Sequence, residues 1–181
     1  MLSTTSRRTE GTSVGDAFGN PYSFADVAGV PYFYAAGMDA SMIDLFGSES
    51  TSLGSEQTST RASLSLSEAA LGGSKSFVWN QKCKIGEYLG DPENPPCGRL
   101  VLTGTMSKVA PGSDEEGVAR AALLKKHPSF AFYPKDHGFY VAKMNIETLW
   151  LIDMYGGAQI VSPGDYFAIK SSAYSEGPLL V

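Results

Sequence analysis

Between Arg61 and Ser67 polar and apolar positions alternate without a break: Ala62, Leu64 and Leu66 fall on one side, Ser63, Ser65 and Ser67 on the other. A period of two predicts a half-buried strand. Similar patterns predict strands at Arg99–Val109, at Gly138–Glu147 and at Leu149–Tyr155. Two short aromatic runs, Pro21–Val27 and Val30–Tyr34, are bounded by Pro and Gly and read as two short strands or one interrupted hairpin. Met1–Thr5 fits a further short strand, and 7–20, rich in Gly, Ser and Thr, reads as loop.

Helical signals are fewer. Ala35–Phe46 fits a short helix. Ser113-Asp114-Glu115-Glu116 is a capping box that opens a clearer one, running to about Lys126 and stopped by Pro128. Lys125 and Lys126 lie where the helix macrodipole favours cations. Two long polar connections, 48–60 and 72–96, and a tail after Ile160 predict little regular structure. Six or so strands with one clear helix at about 113–126 predict a mainly β domain with some α structure, a barrel or sandwich rather than an alternating α/β sheet.

Composition bounds the picture. The 181 residues, 43% hydrophobic and 18% charged, suit one globular domain over 1–181, and neither a repeat nor a linker divides them. A net charge of -5 argues against generic nucleic-acid binding, which depends on Lys and Arg displacing counterions. The apolar runs have the length of strands, too short for a transmembrane helix. The start, Met1 to Arg8, lacks the apolar centre of a signal peptide.

Three segments carry a family resemblance: Pro21–Val27 with Gly29–Tyr34, Leu102–Val109 with His127-Pro128, and His137–Asn145 continuing through Leu149–Gly157. Their order and spacing, over 21–167, resemble the CREG family of secreted "cellular repressor" glycoproteins, leaving 168–181 as a C-terminal tail. The resemblance implies a split β-barrel similar to the FMN-binding, pyridoxamine-phosphate-oxidase-like group, whose members pair as dimers with flavin in the cleft. It also implies a homodimer that holds no flavin and acts by binding a protein, in a secretory or endolysosomal setting. The family's N-terminal helix and targeting segment would then precede Met1, and an organelle such as a plastid is the other expected location. One departure weakens the glycoprotein reading: Asn20, Asn80, Asn94 and Asn145 all lack the glycosylation pattern.

Candidate chemistry is sparse. Arg61 and Ser63 resemble the strand start with which flavin-binding relatives hold the FMN phosphate, since a guanidinium grips phosphate in two places and a hydroxyl adds a donor. Lys108 and Lys143 would add charge if their strands are neighbours. A flavin-dependent oxidoreductase is therefore the alternative to a non-enzymatic binding protein, and an accessory subunit of a larger assembly is a third reading. His127 and His137 are the two imidazoles that could ligate haem, although a helix-end role suits His127 and a strand cap suits His137. Asp114, Glu115 and Glu116 suit the helix N-terminus better than acid–base work. Neither catalytic residues nor a metal cluster can be assigned. The family has two cysteines in places similar to Cys83 and Cys97, which implies a disulfide in an oxidising compartment; two free thiols is the other reading. Closing that loop would contribute roughly 3 kcal/mol in the chain-entropy account. The expected contact regions for a partner are Ser48–Thr60 and Gly72–Pro96.

Overall fold

The computed structural model of the chain describes residues 1–47, 60–71, 83, 93, 97–153 and 157–169. Eight strands form one antiparallel sheet: β1 Leu2–Thr5, β2 Ala17–Asn20, β3 Phe24–Val27, β4 Val30–Ala35, β5 Arg61–Ser67, β6 Arg99–Lys108, β7 Tyr140–Ile152 and β8 Gln159–Val161. Their order is β2-β1-β5-β6-β7-β4-β3, and β8 continues the β4 edge of β7. The sheet curls but does not close. Helices α1 Ala40–Phe46, α2 Asp114–Lys126 and α3 Pro163–Ala168 accompany it.

The alternation in β5 places Ala62 and Leu64 inside. They join Leu2, Phe33, Leu102, Met106, Met144 and Leu149 in the concave core, with Met42 and Leu45 of α1 as its plug. A second, smaller core lies on the convex side. There Ala119 and Leu123 of α2 cover Ala25, Tyr32 and Val141. Through these two residues α2 packs on β3, β4 and β7. Among the described residues, the α-helices make their main contacts with β1, β3, β4 and β7, and none packs mainly on the convex side of β5 and β6.

Four sequence readings need correction. Ala17–Asn20, read as loop, is β2, paired with β1 from Leu2↔Asn20 to Thr5↔Ala17; its Gly and Asn hide a strand that its partner's backbone dictates. Gly138–Glu147 and Leu149–Tyr155 are not two strands. β7 runs unbroken from Tyr140 to Ile152, with a register shift opposite Thr103/Gly104 that absorbs Glu147 and changes the phase of the alternation. Gly104 permits this bulge, because a Cβ there would lie 1.9 Å from the Asn145 carbonyl oxygen. The tail is more ordered than its composition suggests, forming β8 and α3, the latter capped by Ser162. Finally, the helix expected over 35–46 begins only at Ala40, because the Asp39 carboxylate accepts from the Ser41 and Met42 amides and fixes the N-cap there.

The helix at 113–126 is found as α2, with the Ser113 hydroxyl accepting from the Glu116 amide. The capping box is not reciprocal, however: Glu116 accepts from the Gly112 amide at 2.7 Å.

Candidate functional site

The convex surface of β5, β6 and β7 is where Arg61, Ser63 and Lys143 of the candidate phosphate grip fall. Cross-strand register brings Arg61 beside Thr105 and Ser63 beside Thr103, then Thr105 beside Asn145 and Ser107 beside Lys143. The result is a flat field of hydroxyls on β6, Thr103, Thr105 and Ser107, flanked by Ser63 and Arg61 on one side and Asn145 and Lys143 on the other. These groups bond to one another. Ser63 and Thr103 hydroxyls lie 2.9 Å apart, and the Asn145 amide donates to the Ser107 hydroxyl at 3.1 Å.

The cations on this surface are drawn apart. Arg61 donates to Glu147 at 2.6 Å, in a solvent-exposed pair. Lys143 donates to Glu115 of α2 at 2.6 Å. Two strands across at roughly 4.8 Å each and two residues along at roughly 3.3 Å each put the Arg61 and Lys143 backbone positions about 12 Å apart. Lys108, the fourth expected member, lies on the other side of the sheet. It has the parity of Leu102, Gly104 and Met106, and its ammonium sits over the rings of Tyr140 (4.6 Å) and Phe46 (5.3 Å) at the sheet's end. The strands of Lys108 and Lys143 are neighbours, as the grip required, but period-two alternation sends the two side chains to opposite faces.

Glu115 links two elements. Its Oε1 accepts from both Lys143 and the Tyr32 hydroxyl, the latter at 2.8 Å. The bond from Lys143, with that from Tyr32, holds its carboxyl below the usual range. Burial, with the hydrogen bond to Glu115, pushes the Tyr32 phenol up to about 12. Neither shift yields a general acid or base near neutrality; both fasten α2 to the sheet.

The histidines are separate from this surface. His127 ends α2; its Nε2 lies 3.0 Å from the Phe24 carbonyl and its ring stacks on Phe130. His137 sits in a short turn, exposed, with its ring against Phe139. Among the described residues no three His, Cys, Asp or Glu side chains group as metal ligands. Cys83 and Cys97 are joined as a disulfide. The expected contact stretches 48–60 and 72–96 lie outside the described residues, except for Thr60, Cys83 and Glu93.

A buried group that sequence reading missed is Asp44, on α1 and 1% exposed. Its carboxylate accepts from the Thr4 hydroxyl (2.9 Å), the Arg7 amide (3.0 Å) and the Arg8 guanidinium (2.9 and 3.2 Å). A single acidic residue in an amphipathic run gives little signal. The apolar spacing of Met42 and Leu45, which turns Asp44 inward beside them, is the clue that was available.

An open antiparallel sheet with its concave core and one convex-side helix is the architecture of the split-barrel proteins. Among the solved structures that share it are a heme binding protein from Mycobacterium smegmatis, with a TM-score of 0.63, 19% identity and coverage of 92% of this chain and 53% of that one, and ChuZ from Campylobacter jejuni, with a TM-score of 0.57, 11% identity and coverage of 91% and 54%. The sequence profile described as CREG, beta-barrel, matches residues 1–168, and the chain belongs to that family. Among its relatives are protein CREG1 of Gallus gallus, 33% identical over 86% of this chain and 72% of that protein, and protein CREG2 of Homo sapiens, 32% identical over 84% and 46%. The chain spans about half of human CREG1, at 54% of its length. Among the described residues, no helix is long and apolar enough to cross a membrane.

Proposed function

We propose that this CREG-family domain is a non-enzymatic recognition protein that pairs with a second copy of itself through the convex surface of β5 and β6. One observation carries this reading. The polar groups of that surface are bonded sideways, Ser63 to Thr103, Ser107 to Asn145, Arg61 to Glu147. Groups tied in the plane of a sheet make a flat, pre-ordered contact area. With Arg61 paired to Glu147 and Lys143 to Glu115, the two cations are drawn to separate carboxylates, which favours a contact area over a phosphate grip. Trp150, half-buried, pairs in register with Ile160, which is 70% exposed, and adds apolar area at the margin of the same surface. The Cys83–Cys97 disulfide favours a secretory or endolysosomal compartment, where the bond persists. Neither CREG1 nor CREG2 bears an enzyme's name, in keeping with this reading.

Likeness in fold to a heme binding protein does not redirect the proposal. His127 is committed to the Phe24 carbonyl and to Phe130, and His137 lies against Phe139 in the turn before β7.

The test is sedimentation of the purified chain, with and without added flavin mononucleotide. The expected species has twice the 19.2 kDa chain mass and carries no flavin absorbance after desalting. Thr103→Arg, which plants a charge in the hydroxyl field, should shift it to monomer. A wild-type monomer at micromolar concentration would remove the pairing. Retained flavin at one per chain would replace recognition with flavin chemistry.

A further inference from the structure

The segment that follows α2 holds an aromatic construction unrelated to the convex hydroxyl surface. Four rings close a circuit: Tyr34 on Phe130 (5.4 Å), Phe130 on Tyr133 (5.0 Å), Tyr133 on Phe139 (5.2 Å) and Phe139 back on Tyr34 (4.9 Å). The Arg120 guanidinium covers Tyr34 and donates to its hydroxyl at 3.1 Å. Phe130 and Tyr133 reach the circuit because Pro128–Phe132 is a 3-10 turn, in which residues three apart share a side. Phe132 lies off that side. It is 87% exposed, while the Phe130 behind it is 8% exposed.

Nothing in the packing asks for a phenyl group at 132. A serine or lysine there would leave the circuit untouched and would remove a large apolar side chain from water. What the fold does supply is a rigid mount, with Pro128 and Pro134 at either end and stacked rings beneath. A pre-ordered aromatic with low side-chain entropy is the kind of residue that dominates binding energy in recognition surfaces. Tyr133, 41% exposed, extends the apolar area beside it.

Local charge indicates what would cover it. Residues 125–137 hold Lys125, Lys126 and Lys135 against Asp136 alone, in a chain whose net charge is -5. All four are exposed. The segment that carries the apolar mount is therefore net positive on an otherwise acidic molecule, although the Lys126 ammonium is held over the Phe24 ring.

We propose that Phe132 and Tyr133 are the anchor of a docking site for an acidic segment of a protein partner, one that lays a large apolar side chain on the aromatic mount and its carboxylates against Lys125 and Lys135. The inference rests on the recognition reading above and gives that reading a second surface, separate from the pairing surface. A lipid bilayer is the weaker occupant. One phenyl group and three lysines give marginal attachment to an anionic surface for a molecule that is acidic overall.

The probe is a phage-displayed random-peptide library selected on the full chain, with recovered peptides measured by fluorescence polarisation. They should carry Leu, Phe or Trp next to Asp or Glu. Their affinity should fall about tenfold or more for Phe132→Ser, fall several-fold for Lys135→Glu, and weaken with added salt. Val14→Ser, which removes an apolar side chain 65% exposed in the β1–β2 connection, should leave affinity unchanged. Thermal melts check that each variant is folded. Peptides that bind Phe132→Ser as well as wild type overturn this site and leave the recognition reading standing. Failure to recover any peptide with measurable affinity overturns it too, as does Phe132-dependent binding to phosphatidylserine vesicles with none to peptides. The pairing test is read separately, by sedimentation.

Discussion

Two arginine–carboxylate pairs stand at opposite extremes in this molecule. Arg8 meets Asp44 at 2.9 Å with the carboxylate side chain 0% exposed, whereas Arg61 meets Glu147 at 2.6 Å with both side chains about half in water. The second is the shorter contact and the weaker one. Solvent screens it, and holding two long side chains in one geometry costs entropy, so such pairs contribute about 0–1 kcal/mol. At Asp44 water is excluded, and the Thr4 hydroxyl and Arg7 amide join the guanidinium in completing the carboxylate. There the pair is an attachment point: it ties the strand end after β1 to α1, and so closes one end of the concave core.

The largest expected effect follows. Asp44→Ala leaves the Arg8 guanidinium, the Thr4 hydroxyl and the Arg7 amide without their acceptor, and breaking a buried pair from one side costs about 3–5 kcal/mol. Denaturant unfolding should show the loss as a lower midpoint. Asp44→Asn keeps the shape and part of the acceptor set and should lose less. A cost under about 1 kcal/mol for Asp44→Ala, the ceiling for an exposed pair, would place the two pairs in the same class and end the comparison.

What was legible in the sequence is a matter of range. Local rules reached what neighbours in sequence decide: the alternation of β5, the β3–β4 pair, the Ser113 cap and the stop at Pro128. Arg61 and Ser63 were visible through a resemblance to the strand start of flavin-binding relatives, but Glu147, the partner of Arg61, lies 86 positions away and was not. Asp44 depends on donors 36 to 40 positions away, and no local pattern encodes that. The same limit explains β2 and β8, four and three residues long, which exist only because β1 and β7 offer backbone partners. It also explains Lys108. Its strand was read correctly, but the face it takes depends on counting parity across a register that only the β5–β6–β7 pairing fixes.

Between the two extremes lies the Tyr32–Glu115–Lys143 junction, partly covered by α2. The Tyr32 phenol rises from 10.0 to about 12, through burial first and its bond to Glu115 second. The folded state therefore holds this proton more tightly than the unfolded chain. Its contribution is complete below the unfolded value of 10.0 and is lost as pH rises through the folded value of about 12. Tyr140, also raised to about 12 by burial and by Asp39, acts in the same direction. Stability should fall over that alkaline interval. Tyr32→Phe should cost about 1 kcal/mol at neutral pH for the lost hydrogen bond and should flatten the alkaline fall. Glu115, held low mainly by Lys143, contributes in the opposite sense: present above the usual carboxylate range and lost as the solution is acidified through its depressed value. An alkaline slope unchanged in Tyr32→Phe would show that the junction behaves like the exposed pair.

The smallest effect is expected at Arg61. Arg61→Ala should change unfolding free energy by no more than about 1 kcal/mol, because Glu147 then returns to water rather than to a buried site. Raising the salt concentration should shrink even that difference, since the pair lies in the solvent's ionic atmosphere, while the cost of Asp44→Ala should stay nearly constant. Stability and association then separate at this position. The convex surface is the proposed pairing surface, so the monomer–dimer equilibrium should respond to Arg61→Ala more than the fold does, and sedimentation at matched salt measures it. A loss of several kcal/mol in folding, insensitive to salt, would mean that Arg61 is held as Arg8 is. The convex surface would then be a structural element of the sheet and not an area kept open for a second copy.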